Sequence, residues 1–339
     1  MLAASKVCCM TLPLTRTILL NKKLPCSKTQ IIKSPFWRTF SNDGRESYSR
    51  GARRRTIKET IMAPAGDTAF NIGKGAVAGG AVFGIGALCF YGLGLSNKAG
   101  AIDQAVLWPE YVKERIKSTY FYFGSSIAIT AASAVTVFRS PVMMNLLSKN
   151  SFLAIAGTFA AMIGSGMVAR GIEYRPGFGA KQMAWIVHSA IMGAVLAPMC
   201  ILGGPLVMRA AWYTAGVVGG LSAVAVCAPS DKFLNMTGPL AIGLGVVFAS
   251  SLGSMFLPPT TALGAGLYSM SIYGGLLLFS AFLLYDTQRI IRAAEVYPIT
   301  SDLVPPFDPI NASISIYLDT LNIFIRIVTI LAGGGNRRK

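Results

Sequence analysis

The chain has 339 residues and is strongly apolar, with 53% hydrophobic residues, only 13% charged residues and a positive mean hydropathy of +0.54. This composition excludes an ordinary soluble protein and is typical of a polytopic membrane protein. The formal net charge of +17 is concentrated at the N-terminus, because residues 1–60 carry thirteen Lys and Arg against three acids. Nucleic-acid binding requires a basic face on a folded surface. The rest of the chain offers no such face, so nucleic acid is not an expected partner.

The N-terminal segment has the composition of a mitochondrial transit peptide. Residues 1–42 contain seven Lys and Arg, many Ser and Thr, and no acid, and their basic residues interrupt the compact apolar core that a secretory signal requires. A processing site fits Arg38-Thr39-Phe40-Ser41, so residues 1–40 are predicted to be removed; a basic tail that stays attached is the alternative. Residues 41–74 are predicted to be a basic, disordered arm attracted to anionic inner-membrane lipid.

Long uncharged segments predict eight transmembrane helices, because each has the roughly 20 residues needed to cross a hydrocarbon core of about 30 Å. The first, residues 75–97, contains glycines spaced for close helix packing, a weak signal on its own. Residues 98–116 form a polar linker whose Trp and Tyr suit the membrane interface. Seven further helices occupy residues 117–332, and a basic tail at 333–339 follows. The distribution of Lys and Arg among the loops leaves the orientation open.

Motifs of enzymes are absent from the sequence. The six cysteines have neither metal-ligand spacing nor a disulfide pattern, and they are interpreted as small buried side chains. There is no phosphate-binding loop and no pair of histidines, so we expect no enzymatic activity and no cofactor. The single histidine, His188, is either a proton relay or a neutral side chain bonded to a neighbouring helix. Arg170, at the end of the third span, is either functional or an interfacial arginine that reaches water.

Two acids lie in apolar segments where solubility does not require them. Asp286 ends a run that contains no other charged residue back to Lys232, and Asp319 lies inside the last predicted span. Asn322 and Arg326 follow Asp319 at i+3 and i+7, so the three side chains form a polar stripe on one helix face. Such a stripe should face the bundle interior and mark an ion or proton pathway. A structural polar clasp between two helices is the alternative.

These acids lie in motifs that resemble a known family. Phe282-x-x-Tyr285-Asp286 and Tyr317-Leu318-Asp319-x-x-Asn322-x-Phe324 are similar to the paired aspartate motifs of the transmembrane Bax-inhibitor-motif family, and Ala169-Arg170 matches its arginine. The resemblance covers residues 115–332 and implies an all-α, seven-helix membrane bundle, to which this chain adds one N-terminal helix. It also implies that the two aspartates share a proton in the bundle core and that the arginine locks or releases a pore. The loop Val304-Pro305-Pro306-Phe307-Asp308-Pro309 departs from the family pattern.

The implied carboxylate pair has a defined chemistry. Two carboxylates close together in a low dielectric cannot both ionise at low cost, so they titrate as one unit. When deprotonated, Asp286 and Asp319 offer ligands to Ca²⁺, which takes about six to eight oxygens. With Asn322, carbonyls and water they would form only a loose, low-affinity site, which suits passage better than storage.

Two functions follow as hypotheses. The first is a multi-pass, pH-sensitive transporter of the mitochondrial inner membrane that exchanges Ca²⁺ for H⁺ or provides a Ca²⁺ leak. The second is a structural, anti-apoptotic protein that maintains cristae organisation, restrains release of apoptotic factors and binds apoptotic or cristae-organising proteins. The sequence leaves the oligomeric state and the choice between channel and exchanger open.

Overall fold

The computed structural model describes residues 59, 62–64, 68–93, 95–96, 100–147, 152–229, 232–297 and 307–335. The predicted transit peptide, most of the basic arm and the last four residues of the basic tail lie outside this described part of the chain. The proline-rich start of the loop before the last helix, residues 304–306, lies outside it as well.

Eight helices in the described ranges are long and apolar enough to cross a membrane, which confirms an all-α polytopic membrane protein. Short helical turns connect several of them, and α7 contains a π-helical turn at Met270–Gly274. In chain order the long helices are α1 (Thr68–Gly92), α2 (Glu110–Phe138), α3 (Phe152–Gly171), α4 (Ala180–Leu196), α5 (Gly204–Cys227), α6 (Thr237–Phe256), α7 (Ala262–Val296) and α8 (Pro309–Gly335). The connecting turns are Ala101–Gln104, Ala105–Leu107, Pro141–Leu147, Ala197–Leu202 and Leu234–Met236.

Two helices begin earlier in the chain than the charge pattern indicated. Helix α1 begins at Thr68, before Lys74, and α2 begins at Glu110, so the second half of the polar linker is helical. Charged residues interrupt an apolar run without interrupting a helix, since Lys and Glu are good helix formers. Charge therefore delimits the apolar part of a span and not the helix itself.

Helix α8 lies at the centre of the bundle, in contact with α2, α5 and α7. Its Ile316 and Ile323 are fully buried and pack with Leu283 of α7 in the largest apolar cluster. Its Tyr317 is also fully buried and shares a hydrogen bond of 2.5 Å with Thr130 of α2. Because protein surrounds α8, polar residues on it face other helices and not lipid.

The start of α8 is fixed by Asp308, which precedes Pro309. One oxygen of Asp308 accepts hydrogen bonds from the backbone N–H groups of Ile310 and Asn311, both at 3.0 Å, as expected of an N-terminal cap. The other oxygen forms an ion pair with Lys181 at the start of α4, and the Lys181 ammonium also donates to the carbonyl of Ile172 at 2.7 Å. These bonds hold the start of α8 beside the end of α3. We call this side of the bundle the Arg170 face.

The end of α7 is fixed on the same face by the start of α2. Arg115 donates hydrogen bonds to the carbonyls of Ala294 and Tyr297, at 2.9 and 2.8 Å, which satisfies carbonyls that a helix end leaves unpaired. Trp108 donates from Nε1 to a carboxylate oxygen of Glu295 at 2.9 Å. Hydrogen bonds therefore hold both the end of α7, which follows Asp286, and the start of α8, which precedes Asp319.

Helix α1 packs on α7 through two glycines, Gly73 and Gly80. Most of the other glycines of this helix, whose spacing suggested close packing, do not contact α7. A Cβ atom on Gly73 would lie 2.4 Å from the ring of Tyr273, and one on Gly80 would lie 2.6 Å from Leu277. Gly75 and Gly79, in contrast, have open space where a side chain would be. Glycines spaced by four residues lie on one face of a helix, but the spacing does not show whether that face contacts another helix.

Candidate functional site

Asp286 of α7 and Asp319 of α8 meet in the bundle core. Both residues are more than nine-tenths buried, with 7% and 6% of their surface exposed. The two carboxyl groups lie close enough to interact with each other. Because an ionised carboxylate only accepts hydrogen bonds, a hydrogen bond between the two groups would require a proton on one of them. A proton shared by the pair remains a prediction.

Two arginines act electrostatically on Asp286. Arg289, one helical turn further along α7, lies with Nη1 3.8 Å from Asp286 Oδ1 and is largely exposed. Arg170, at the end of α3, lines the same cavity as Asp286 and interacts with its charge. The site thus combines a buried carboxyl pair with two guanidinium groups on its Arg170 side.

A cavity of about 500 Å³ connects Asp286 with the Arg170 face. Its wall mixes charged and apolar groups from the ends of α3, α7 and α8 and from the loop after α3. Asp286 and Arg289 line it from α7, Arg170 from α3, and Asp308 and Ser315 from the start of α8. Asp286 of the carboxyl pair therefore has an approach from one side of the bundle.

Tyr174 lies at the mouth of this cavity, in the loop between α3 and α4. Burial, together with the neighbouring Tyr122 and Asp308, raises the pKa of its hydroxyl to about 12. Its hydroxyl is thus neutral at any physiological pH. Tyr174 contributes a polar wall that does not titrate.

His188 lines a second, mostly apolar cavity of about 290 Å³, which Arg170 also lines. The histidine is 2% exposed, and its Nδ1 shares a hydrogen bond of 2.9 Å with the Ser165 hydroxyl. Its other ring nitrogen, Nε2, is buried without a hydrogen-bond partner. Helix α4 thus places His188 against α3, which matches the arrangement of a histidine bonded to a neighbouring helix, while the relay remains a prediction.

Asn322 and Arg326 share a face of α8 with Asp319, but the structure gives them different surroundings. The Asn322 amide donates at 2.9 Å to the carbonyl of Leu318 in its own helix. Asn322 does not line either of the two cavities. The guanidinium of Arg326 lies over the ring of Phe279, 5.1 Å from its centroid. The contribution of Asn322 to a cation site remains a prediction.

Two features of the carboxyl pair bear on whether it binds a cation, which remains a prediction. Within the described residues, no group of three or more His, Cys, Asp or Glu side chains is placed to hold a metal ion. Asp319 Oδ2 is buried without a hydrogen-bond partner, so one carboxyl oxygen has unused acceptor capacity. Two carboxyl groups supplemented by carbonyls and water give a hard cation few fixed ligands.

Three residues of this region were not identified as site residues by the sequence. Arg289 follows Asp286 by three residues, a spacing that places the two on one helix face and was a usable signal. Lys181 and Asp308 are far apart in sequence, and no local pattern predicts their ion pair. The Asp-Pro pair at the start of α8 was a usable signal for the cap of that helix.

Eight candidate spanning helices in the described ranges, with two interacting acids buried among them, define a class of polytopic membrane protein with an ionisable core site. The chain belongs to the Bax-inhibitor family, because residues 112–337 match the family described as "Inhibitor of apoptosis-promoting Bax1". It is 53% identical over the full length of both chains to growth hormone-inducible transmembrane protein of Rattus norvegicus.

More distant relatives match mainly the bundle. Bax inhibitor 1 of Rattus norvegicus is 28% identical over 226 residues, which cover 65% of this chain and 86% of the relative. An uncharacterized membrane protein of Vibrio cholerae serotype O1 is 30% identical over 226 residues, 64% of this chain and 87% of the relative.

Proposed function

We propose that this protein is a pH-sensitive cation transporter of the mitochondrial inner membrane that carries Ca²⁺ in exchange for protons at Asp286 and Asp319. One observation carries the proposal: two buried acids of neighbouring helices interact in the bundle core, Asp286 lines a cavity, and Asp319 Oδ2 has no hydrogen-bond partner. Intramembrane acids are costly and usually mark an ion or proton pathway. The mitochondrial location rests on the composition of residues 1–40.

The exchange follows from competition for the same oxygens. With a proton on the pair, one carboxyl oxygen is a donor and the cation has a single negative charge to bind. When that proton leaves, two carboxylates face each other in a medium where their repulsion is strong, and a divalent cation relieves that repulsion. Cation and proton therefore exclude each other, and neither a cofactor nor an enzymatic step is needed.

The two arginines bias this competition. Their positive charges favour the ionised form of Asp286 and at the same time repel an arriving cation. Arg289 is exposed and Arg170 lies on a different helix, so a small movement of either changes the balance between proton and Ca²⁺. Regulation of the competition between protons and Ca²⁺ would therefore act on the Arg170 side of the carboxyl pair.

Ca²⁺ flux in liposomes carrying the purified protein tests the proposal. We expect Asp286→Asn and Asp319→Asn each to lower the flux by about tenfold or more, because each removes one of the two charges that bind the cation. The flux that remains when both acids are replaced should not depend on pH.

A matched control is Glu114→Gln, which neutralises an exposed acid on α2 outside the site. It should keep the wild-type flux. If both aspartate variants transport Ca²⁺ with the wild-type rate and pH dependence, the site and the function assigned to it are wrong.

A structural role in cristae organisation and in restraining apoptosis is the second candidate. The family description favours it, and so does the outward face of α1, where Gly75 and Gly79 leave open space. In this case the carboxyl pair would clasp α7 to α8, and apoptotic or cristae-organising proteins would bind at α1.

A further inference from the structure

Arg326 is a cation inside the helix bundle for which the proposed transport site gives no role. It lies in α8, nine residues before the helix ends at Gly335. Its Nε atom is buried and has no hydrogen-bond partner, and its guanidinium stacks on the ring of Phe279 from α7. An unpaired buried polar group is costly, and a charged one more so, so its retention calls for a physical reason.

The guanidinium of Arg326 occupies a space between α7 and α8 that exists because residue 275 is a glycine. We call this space, bounded by Gly275 and Phe279, the seat of Arg326. A Cβ atom on Gly275 would lie 2.0 Å from Arg326 Nε and 2.8 Å from its Cζ. Gly275 follows directly after the π-helical turn Met270–Gly274 of α7. The absence of a side chain at this glycine and the ring of Phe279 together hold the charge between α7 and α8.

The seat lies on the opposite side of the carboxyl pair from the cavity. Arg326 follows Asp319 by seven residues and Phe279 precedes Asp286 by seven, so on each helix the two residues share a face about 10 Å apart along the axis. Since α7 ends and α8 begins on the Arg170 face, both steps lead away from that face. A cation that moved on from the pair between α7 and α8 would meet Arg326 next.

No acid of these two helices offsets the charge there. Helices α7 and α8 contain three acids, Asp286, Glu295 and Asp319. Glu295 lies near the Arg170 end of α7, and the other two form the pair. A positive charge seated beyond the pair repels any cation, and it repels a divalent ion twice as strongly as a monovalent one.

We propose that Arg326, seated against Gly275 and Phe279, is the electrostatic barrier that limits cation passage between the carboxyl pair and the far face of the bundle. This inference rests on the proposed function, because it assumes that cations reach the pair. It makes Arg326 a determinant of rate and of ion valence, while Asp286 and Asp319 bind the ion.

Flux measurements on liposomes with the full chain test the barrier with two variants. Arg326→Gln removes the charge, and Gly275→Ala keeps the charge but displaces it from its seat. Both should raise cation flux, and the rise should depend on valence: a threefold rise for K⁺ corresponds to about a tenfold rise for Ca²⁺, because the repulsion scales with ionic charge. In the double variant the effect of Gly275→Ala should disappear, since no guanidinium is left to displace.

Matched controls separate the barrier from general loosening. Arg209→Gln neutralises an exposed arginine of α5, and Gly266→Ala adds a methyl group on α7 where nothing lies within 4 Å; both should behave as wild type. If K⁺, Ca²⁺ and a neutral solute all leak faster by the same factor, packing was lost and the barrier is refuted.

The outcomes also separate this inference from the proposed function. If the aspartate variants abolish flux while Arg326→Gln and Gly275→Ala keep the wild-type rate and Ca²⁺/K⁺ ratio, transport stands and the barrier does not. If the wild type and aspartate variants conduct alike, the transport site is wrong. A valence-dependent leak that opens in Arg326→Gln and in Gly275→Ala would still support the barrier, and its absence would refute it.

Discussion

Lys181 is the residue whose burial contributes most directly to the shape of the candidate site. Its side chain is 1% exposed, and it joins the start of α4 to Asp308 at the start of α8. A buried ion pair need not stabilise a protein more than apolar side chains would, but the loss of one partner leaves the other charge unpaired. The ion pair between Lys181 and Asp308 therefore fixes the position of α8, and with it the position of Asp319 in the bundle.

We predict that Lys181→Met lowers the free energy of unfolding by about 3–5 kcal/mol, because the carboxylate of Asp308 loses its partner. Asp308→Asn should give a similar loss while keeping an oxygen for the helix cap, which separates the charge from the cap. Thermal unfolding in detergent measures the change; it is followed by tryptophan fluorescence, to which the buried Trp185 contributes.

The control is the ion pair between Arg175 and Glu173, which spans 3.7 Å and is largely exposed. Arg175→Gln should leave the unfolding midpoint almost unchanged, because exposed ion pairs contribute little. Equal losses for Lys181→Met and Arg175→Gln would contradict the role given to the buried pair.

The sequence identified the acids of the site directly, but predicted their contact only through the family resemblance. Asp286 and Asp319 stand out because a charge in an apolar segment has a cost, and this cost can be read from composition alone. Their contact depends on the packing of α7 against α8, which no local pattern contains. The same limit applies to Arg326: its helix face could be predicted, whereas its seat requires Gly275 and Phe279 of another helix.

At the scale of the helices, composition predicted the eight spans but not their exact beginnings or their contacts. Hydrophobic length determines whether a segment crosses the membrane, and here it gave the right number within the described residues. Helix ends depend on capping groups such as Asp308 and Arg115, and packing faces depend on neighbours. This is why Gly73 and Gly80 contact α7 while Gly75 and Gly79 do not.

Substitutions on the two faces of α1 test the structural candidate. Gly75→Leu and Gly79→Leu point into open space, so we expect normal folding and flux, with a helix stabilised by roughly 1 kcal/mol per site. If α1 binds a cristae-organising partner through this face, cells that express the variant should show disordered cristae in electron micrographs.

The inner face provides the comparison. Gly73→Leu would place its side chain against Tyr273 and Ser269, where a Cβ atom alone comes within 2.4 Å, so it should loosen α1 from α7 and lower the unfolding midpoint. Intact cristae together with intact flux in the Gly75 and Gly79 variants would refute the binding surface on α1.

At the scale of the whole molecule, the site is built asymmetrically. The cavity reaches Asp286 from the Arg170 face, and Arg326 lies beyond the pair on the other side. If the pair takes up protons and cations as proposed, the two sides of the membrane should have unequal access to it. This asymmetry is independent of which face points to the matrix.

The last prediction follows from this asymmetry and concerns pH. Protonation of the pair removes negative charge and ligand oxygens, so acidification should lower Ca²⁺ flux and alkalinisation should raise it, and the change should be larger when it is made on the Arg170 face. Planar bilayers with the pH set separately on each side measure both responses.

The other groups around the cavity separate the pair from its surroundings in the same experiment. Tyr174, whose pKa is raised to about 12, stays neutral across the tested range, so Tyr174→Phe should keep the profile. Glu173 is exposed and lies outside the carboxyl pair, so Glu173→Gln should also keep the pH profile. Asp308, the other acid at the cavity, forms an ion pair with Lys181. Asp319→Asn should weaken the response, because Asp286 is then the only acid of the pair that can take up a proton. The residual flux of the double variant, with Asp286→Asn and Asp319→Asn combined, should not respond on either side. Equal responses of the wild type on the two faces, or a response that survives in the double variant, would show that protons act elsewhere on the protein.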